Sequence, residues 1–87
     1  MTFSKDSDAV LDYAIDWSEW LGKDTISTST WLVPSGLTEV TSSKTDTVTT
    51  IWLSGGIPGR AYNVTNRIAT AGGRTDDRSL RIRVEQR

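Results

Sequence analysis

Val10-Leu-Asp-Tyr-Ala-Ile-Asp-Trp17 sets Leu11, Tyr13, Ile15 and Trp17 at alternate positions, with Asp12 and Asp16 between them. A period of two sends one set of side chains to a buried face and the other to water, as a half-buried β-strand requires. The far end of the chain repeats the pattern: Leu80, Ile82 and Val84 alternate with Arg81, Arg83 and Glu85. Helical spacing competes in the first stretch. Ala9, Val10, Tyr13, Ala14, Trp17 and Leu21 also share a helical face, with Ser7 or Asp8 as cap and Gly22 as stop. Strand is favoured, because badly placed aspartates and serines interrupt the helix and the rest of the chain is β-like.

Working outward, residues 1–8 read as a flexible polar arm and residues 9–87 as one domain. Gly22-Lys23-Asp24 is a turn, and Thr25 to Val33 is a second strand rich in β-branched residues. Pro34-Ser35-Gly36 turns the chain, because proline fixes φ and glycine accepts positive φ. Leu37 to Ser42 is a short third strand. Thr47 to Leu53 is a fourth, whose inward set is either Val48, Thr50 and Trp52 or Thr49, Ile51 and Leu53. Ser54 to Arg60 holds three glycines and a proline, a loop that interrupts any regular element. Tyr62, Val64 and Ile68 share one face of a fifth strand, with Asn63, Thr65 and Arg67 on the other. Gly72-Gly73-Arg74 starts the next turn, and Asp77 to Gln86 is the final strand. The expectation is an all-β fold: an antiparallel two-sheet, immunoglobulin-like β-sandwich of about six to seven strands.

Composition narrows the function. A chain of 87 residues is one domain near the small end of what folds without staples. It has no cysteine, hence no disulfide framework, so four tryptophans, two tyrosines and one phenylalanine must supply much of the core. Ser and Thr supply 23 residues, which suits exposed strand faces and turns. Net charge is −1, which makes no case for nucleic acid or membrane as a partner. The charge is split, however. Residues 1–46 carry eight acids and three lysines, and residues 47–87 carry seven arginines and three acids. Such a split marks an acidic and a basic face suited to head-to-tail contact, or terminal strands that lie side by side and neutralise each other. The second is favoured. No apolar run reaches the roughly 20 residues of a membrane span, and the polar start lacks the layout of a signal peptide. Synthesis in a host cytoplasm without export is expected.

Catalysis needs tunable groups held together in a pocket. The chain has no histidine for acid–base work and no cysteine nucleophile. Asp12 and Asp16 share a strand face, but four residues of strand separate them by roughly 13 Å, too far for paired-carboxylate chemistry. Gly55-Gly56-Ile57-Pro58-Gly59-Arg60 lacks the Gly-Lys-Ser/Thr ending of a phosphate-binding loop. Neither zinc nor calcium ligand spacing is present. No enzyme activity, cofactor or metal is expected. What remains is surface. Trp20 falls out of register with Trp17 and is a candidate exposed aromatic anchor, or a plug over the open end of the sandwich. Arg81 and Arg83, with Arg67 on the same sheet, form a row able to dock an acidic partner, or a solvated face that deters edge pairing. The interface candidates are therefore Trp20, the loop bearing Gly55, Gly56 and Arg60, and the outward Arg81 and Arg83. The alternative is a carbohydrate-binding or general interaction module in which Trp20 or Trp52 stacks on a sugar.

Particular strings carry a resemblance. Val10-Leu-Asp-Tyr-Ala-Ile-Asp-Trp-Ser-Glu-Trp-Leu21, Asp24-Thr-Ile26, Trp31 and Pro34-Ser-Gly-Leu37 resemble a family of small tailed-phage and prophage virion proteins. Val48 to Gly56, Tyr62-Asn-Val-Thr-Asn-Arg-Ile68 and Gly73-Arg-Thr-Asp-Asp-Arg-Ser79 extend the likeness over nearly the whole chain. Members are described as fibre–tail adaptor or similar structural proteins with an immunoglobulin-like domain. The resemblance leads to an expectation of cysteine at the position of Asn66, so nothing redox-dependent is carried over. The resemblance implies a non-enzymatic virion component that docks other tail, neck or fibre proteins, alone or as a small homo-oligomer.

Overall fold

The computed structural model describes residues 2–85, in which seven strands and one short helix form two facing sheets. In chain order these are β1 (Thr2–Asp6), β2 (Leu11–Asp16), α1 (Ser18–Leu21), β3 (Ile26–Leu32), β4 (Leu37–Lys44), β5 (Val48–Gly55), β6 (Ala61–Thr70) and β7 (Thr75–Glu85). One sheet runs β1-β7-β6-β3 and the other β2-β5-β4. The groups β2-β5-β4 and β3-β6-β7 match the B-E-D and C-F-G groups of an immunoglobulin constant-type sandwich. Here β1 lies along β7 instead of joining the first group.

Alternation builds the interior. Tyr13, Ile15 and Trp17 point inward from the first stretch and Leu80, Ile82 and Val84 from the last, all buried. Strand, not helix, is correct for residues 11–16, and the inward set of β5 is Thr49, Ile51 and Leu53. Leu11 is the exception to the first alternation: at the open end of β2 it stays 38% exposed. Tyr62, Val64 and Ile68 complete the facing layer with Trp31, and Leu37 joins the core from β4. Each fully buried aliphatic here contributes about 1.5–3 kcal/mol of transfer free energy, a large share for so small a domain.

Three expectations are corrected. Residues 1–8 were read as a loose arm, yet Thr2–Asp6 is a strand in parallel register with β7, Phe3 opposite Ile82 and Lys5 opposite Val84. The parallel pair also qualifies the antiparallel expectation, because the other strand pairings are antiparallel. The physical reason is the inward side of β1. Phe3 packs edge-on to Tyr13 with ring centroids 5.3 Å apart. Lys5 is buried, its Nζ donating to the Asp6 and Gly55 carbonyls, both at 2.8 Å. Burial holds the Lys5 ammonium below its usual pKa, with Asp6 and Asp8 pulling the other way. Finally, the terminal strands do lie side by side, but the pair is β1 with β7; the alternating stretch in β2 pairs with β5 in the other sheet.

A polar knot crosses the interior. Asn66 is fully buried, and its Oδ1 accepts from Trp17 Nε1 at 3.1 Å and Thr49 Oγ1 at 2.7 Å. Its Nδ2 donates to Ser29 Oγ at 2.9 Å and the Thr30 carbonyl at 3.2 Å. Four hydrogen bonds satisfy the amide and tie the end of β2, β3, β5 and β6 together.

Candidate interaction surfaces

The helix α1 carries Trp20 and sits where β2 leaves its sheet. It starts because the Asp16 carboxylate accepts from the Ser18 backbone N–H at 2.9 Å, a bond that also lowers the Asp16 pKa. It ends at Gly22, whose φ of 61° suits glycine. Trp20 packs edge-on to Trp17 at 5.5 Å between centroids, and the Arg74 guanidinium lies 4.3 Å from the centre of its ring. Arg74 also donates to the Leu21 and Trp20 carbonyls at 2.8 and 3.3 Å, and to Asp24 at 3.1 Å. Arg78 repeats the device over Trp17, at 4.3 Å, while donating to the Asp16 carbonyl. Trp20 is therefore half-buried at the end of the sandwich, packed on Trp17 and with Arg74 over its ring.

Asp24 anchors the same end. Hydrogen bonding from Thr70 is the main cause that holds its carboxyl at about 2, with the Thr25 and Gly72 backbone N–H groups and Arg74 adding to it against the cost of desolvation. The acidic first half and basic second half of the chain thus do meet, through Asp24 and Arg74 at the hairpin between β6 and β7.

The loop after β5 lies at the opposite end, so the structure does not gather all the candidates into one site. Gly55 and Gly56 have φ of 78° and 101°, and a Cβ on Gly56 would stand 2.5 Å from Val84 Cγ2. The backbone path calls for glycine at both positions, and at Gly56 the close approach of β7 does so as well. Arg60 extends the β7 pairing, its carbonyl accepting from Val84 N–H at 2.9 Å, while its side chain is exposed.

Arg81 and Arg83 point outward from β7, on the same face as Arg67. The row is not uniformly basic. Arg67 makes a two-pronged pair with Asp77, at 2.9 and 3.0 Å, which lowers the Asp77 pKa. Arg83 approaches Glu85 at 4.0 Å. Among the described residues Arg81 has no ion-pair partner, opposite Asn63 on β6. Loop and row adjoin, because Arg60 and Arg83 flank the same β6–β7 end.

The other outer face, that of β2-β5-β4, holds what the alternation left undecided. Trp52 points outward and is 40% exposed, with Asp12 across from it on β2 and Thr41 on β4. The two possible registers of residues 47–53 hid it, since both place an apolar residue inside. Val10, just before β2, and Val40, at the register shift in β4, are both about half exposed. No Lys or Arg occupies an outward position on these three strands; Lys44 lies in the inward register and donates to the Ile26 carbonyl.

The two sheets define a small two-layer β-sandwich, and the described residues include no cluster of metal-ligating groups. The chain belongs to the family described as Podophage GP4 fiber-tail adaptor protein gp77, which matches residues 5–83. It is thus a phage structural protein of adaptor type. No curated protein matches the chain.

Proposed function

We propose that this chain is a non-enzymatic virion component that joins fibre or tail proteins by docking preformed sheet faces. The observation that carries this is the match to a fibre–tail adaptor family over residues 5–83, combined with a sandwich whose polar groups serve its own closure. Arg74, Asp24 and Asn66, each with several polar contacts, bond to groups of the chain itself. The molecule measures 42 × 20 × 18 Å. A partner burying the usual figure of about 800 Å² on each side covers nearly all of one broad face. Repetition on a symmetric particle lets modest contacts sum to firm attachment.

The test is quantitative mass spectrometry of purified particles. A fixed copy number per particle, and loss of fibres from particles made without the gene, are expected. Particles that assemble, retain fibres and infect normally without the protein overturn the proposal.

A further inference from the structure

Two of the four tryptophans, Trp17 and Trp20, are each covered by an arginine at 4.3 Å, and Trp31 is buried. Trp52 alone is open to solvent on a sheet face, and no arginine lies over it among the described residues. Arg81 is its counterpart on the opposite face: exposed, central in its sheet, and without an ion-pair partner among the described residues. An aromatic ring with an aspartate beside it and no nearby like charge is a site for a guanidinium, which stacks on the ring and bonds the carboxylate. Asp12 is that aspartate, directly across from Trp52.

We infer that the β2-β5-β4 face of one copy of this chain receives the β7 face of a second copy, with Arg81 seated over Trp52 and against Asp12. The pairing completes between molecules the arginine-on-tryptophan contact that each molecule makes twice within itself. The net charge of −1 leaves little mutual repulsion to oppose it. Because the two faces differ, the contact is head-to-tail, and its repetition closes a ring or extends a stack. This assignment stands apart from the virion proposal, since it concerns the purified chain alone.

Complementation of two blocked faces tests it. In sedimentation equilibrium at low salt, the wild-type mass is expected to rise with concentration above 9.6 kDa, and added salt reduces the rise. Trp52→Ala blocks one face and Arg81→Ser the other, so each variant alone stays monomeric. Mixed in equal amounts they regain one intact contact, and a species of twice the monomer mass forms. Arg81→Ser alters only an exposed side chain, so it remains informative even if Trp52→Ala folds poorly. Three results overturn the inference: a wild-type chain monomeric at millimolar concentration, association indifferent to Arg81→Ser, or two monomeric folded variants whose mixture gives no dimer. Quenching of Trp52 fluorescence by glycans in a chain that stays monomeric also overturns it, and assigns that face to sugar.

Discussion

Asn66 accepts the indole proton of Trp17 at 3.1 Å in a site from which water is excluded. The two residues belong to opposite sheets, so the bond fixes how the layers sit on each other. Removing the amide by Asn66→Ala leaves the Trp17 N–H and the Thr49 hydroxyl without partners. Each orphaned buried group costs about 1–3 kcal/mol, so a loss of about 3 kcal/mol or more is expected, read as a lower urea midpoint with unchanged slope. Trp31 supplies the contrast, because its buried Nε1 has no acceptor among the described residues. Trp31→Phe removes an unsatisfied donor and is expected to cost less than Trp17→Phe in the same measurement.

Gly56 leaves no room for a side chain. Its φ of 101° strains any L-residue, and a methyl there meets Val84 Cγ2 at 2.5 Å. Gly56→Ala is expected to destabilise by about 2–4 kcal/mol. Gly59 has a similar φ but open space around it. Gly59→Ala is expected to cost less than Gly56→Ala in parallel thermal melts, since only the backbone term remains.

Acid should open the α1 end first. The Asp24 carboxyl titrates at about 2 when folded, against 3.8 for an unperturbed aspartate. A depressed folded value means that the unfolded chain binds the proton more tightly, so the stabilisation is complete above about pH 4 and lost as pH falls toward 2. The comparison of wild type with Asp24→Asn across that range checks it: their stability difference should shrink as pH falls. A difference that stays constant refutes the linkage.

The Lys5 ammonium gives the same sign of dependence at the alkaline end. Its folded pKa lies below 10.5, so between the two values the unfolded chain holds more protons and stability rises with pH. Lys5→Met should abolish that rise while leaving the Tyr13 titration in place. Tyr13 ionises less readily when folded, mainly through desolvation, and therefore lowers stability above about pH 10. Denaturant titrations of both proteins from pH 8 upward isolate the Lys5 contribution as their difference.

Much of the sandwich is visible in the alternations of residues 11–17 and 80–84, because inward positions there are apolar and outward ones charged. The pattern becomes unreadable where a polar side chain faces inward with a private partner. Lys5 makes β1 look like a solvated arm, since its two carbonyl acceptors come from Asp6 and from Gly55, distant in sequence. Thr49 blurs the register of β5 for the same reason, its hydroxyl being satisfied by Asn66. Charge counting likewise cannot tell Arg74 and Arg78, which cover tryptophans, from Arg81, which has no ion-pair partner among the described residues. The place of Trp20 is ambiguous in the sequence because the short turn of α1 breaks the strand period after Trp17.

Strand β7, the last to leave the ribosome among those described, is inserted between β6 and β1. The earliest of these strands therefore has no neighbour in its sheet until β7 has been made. Nascent chains must wait with both β1 and β6 exposing unpaired backbone, and a premature stop codon before Thr75 would leave them without the strand that joins them.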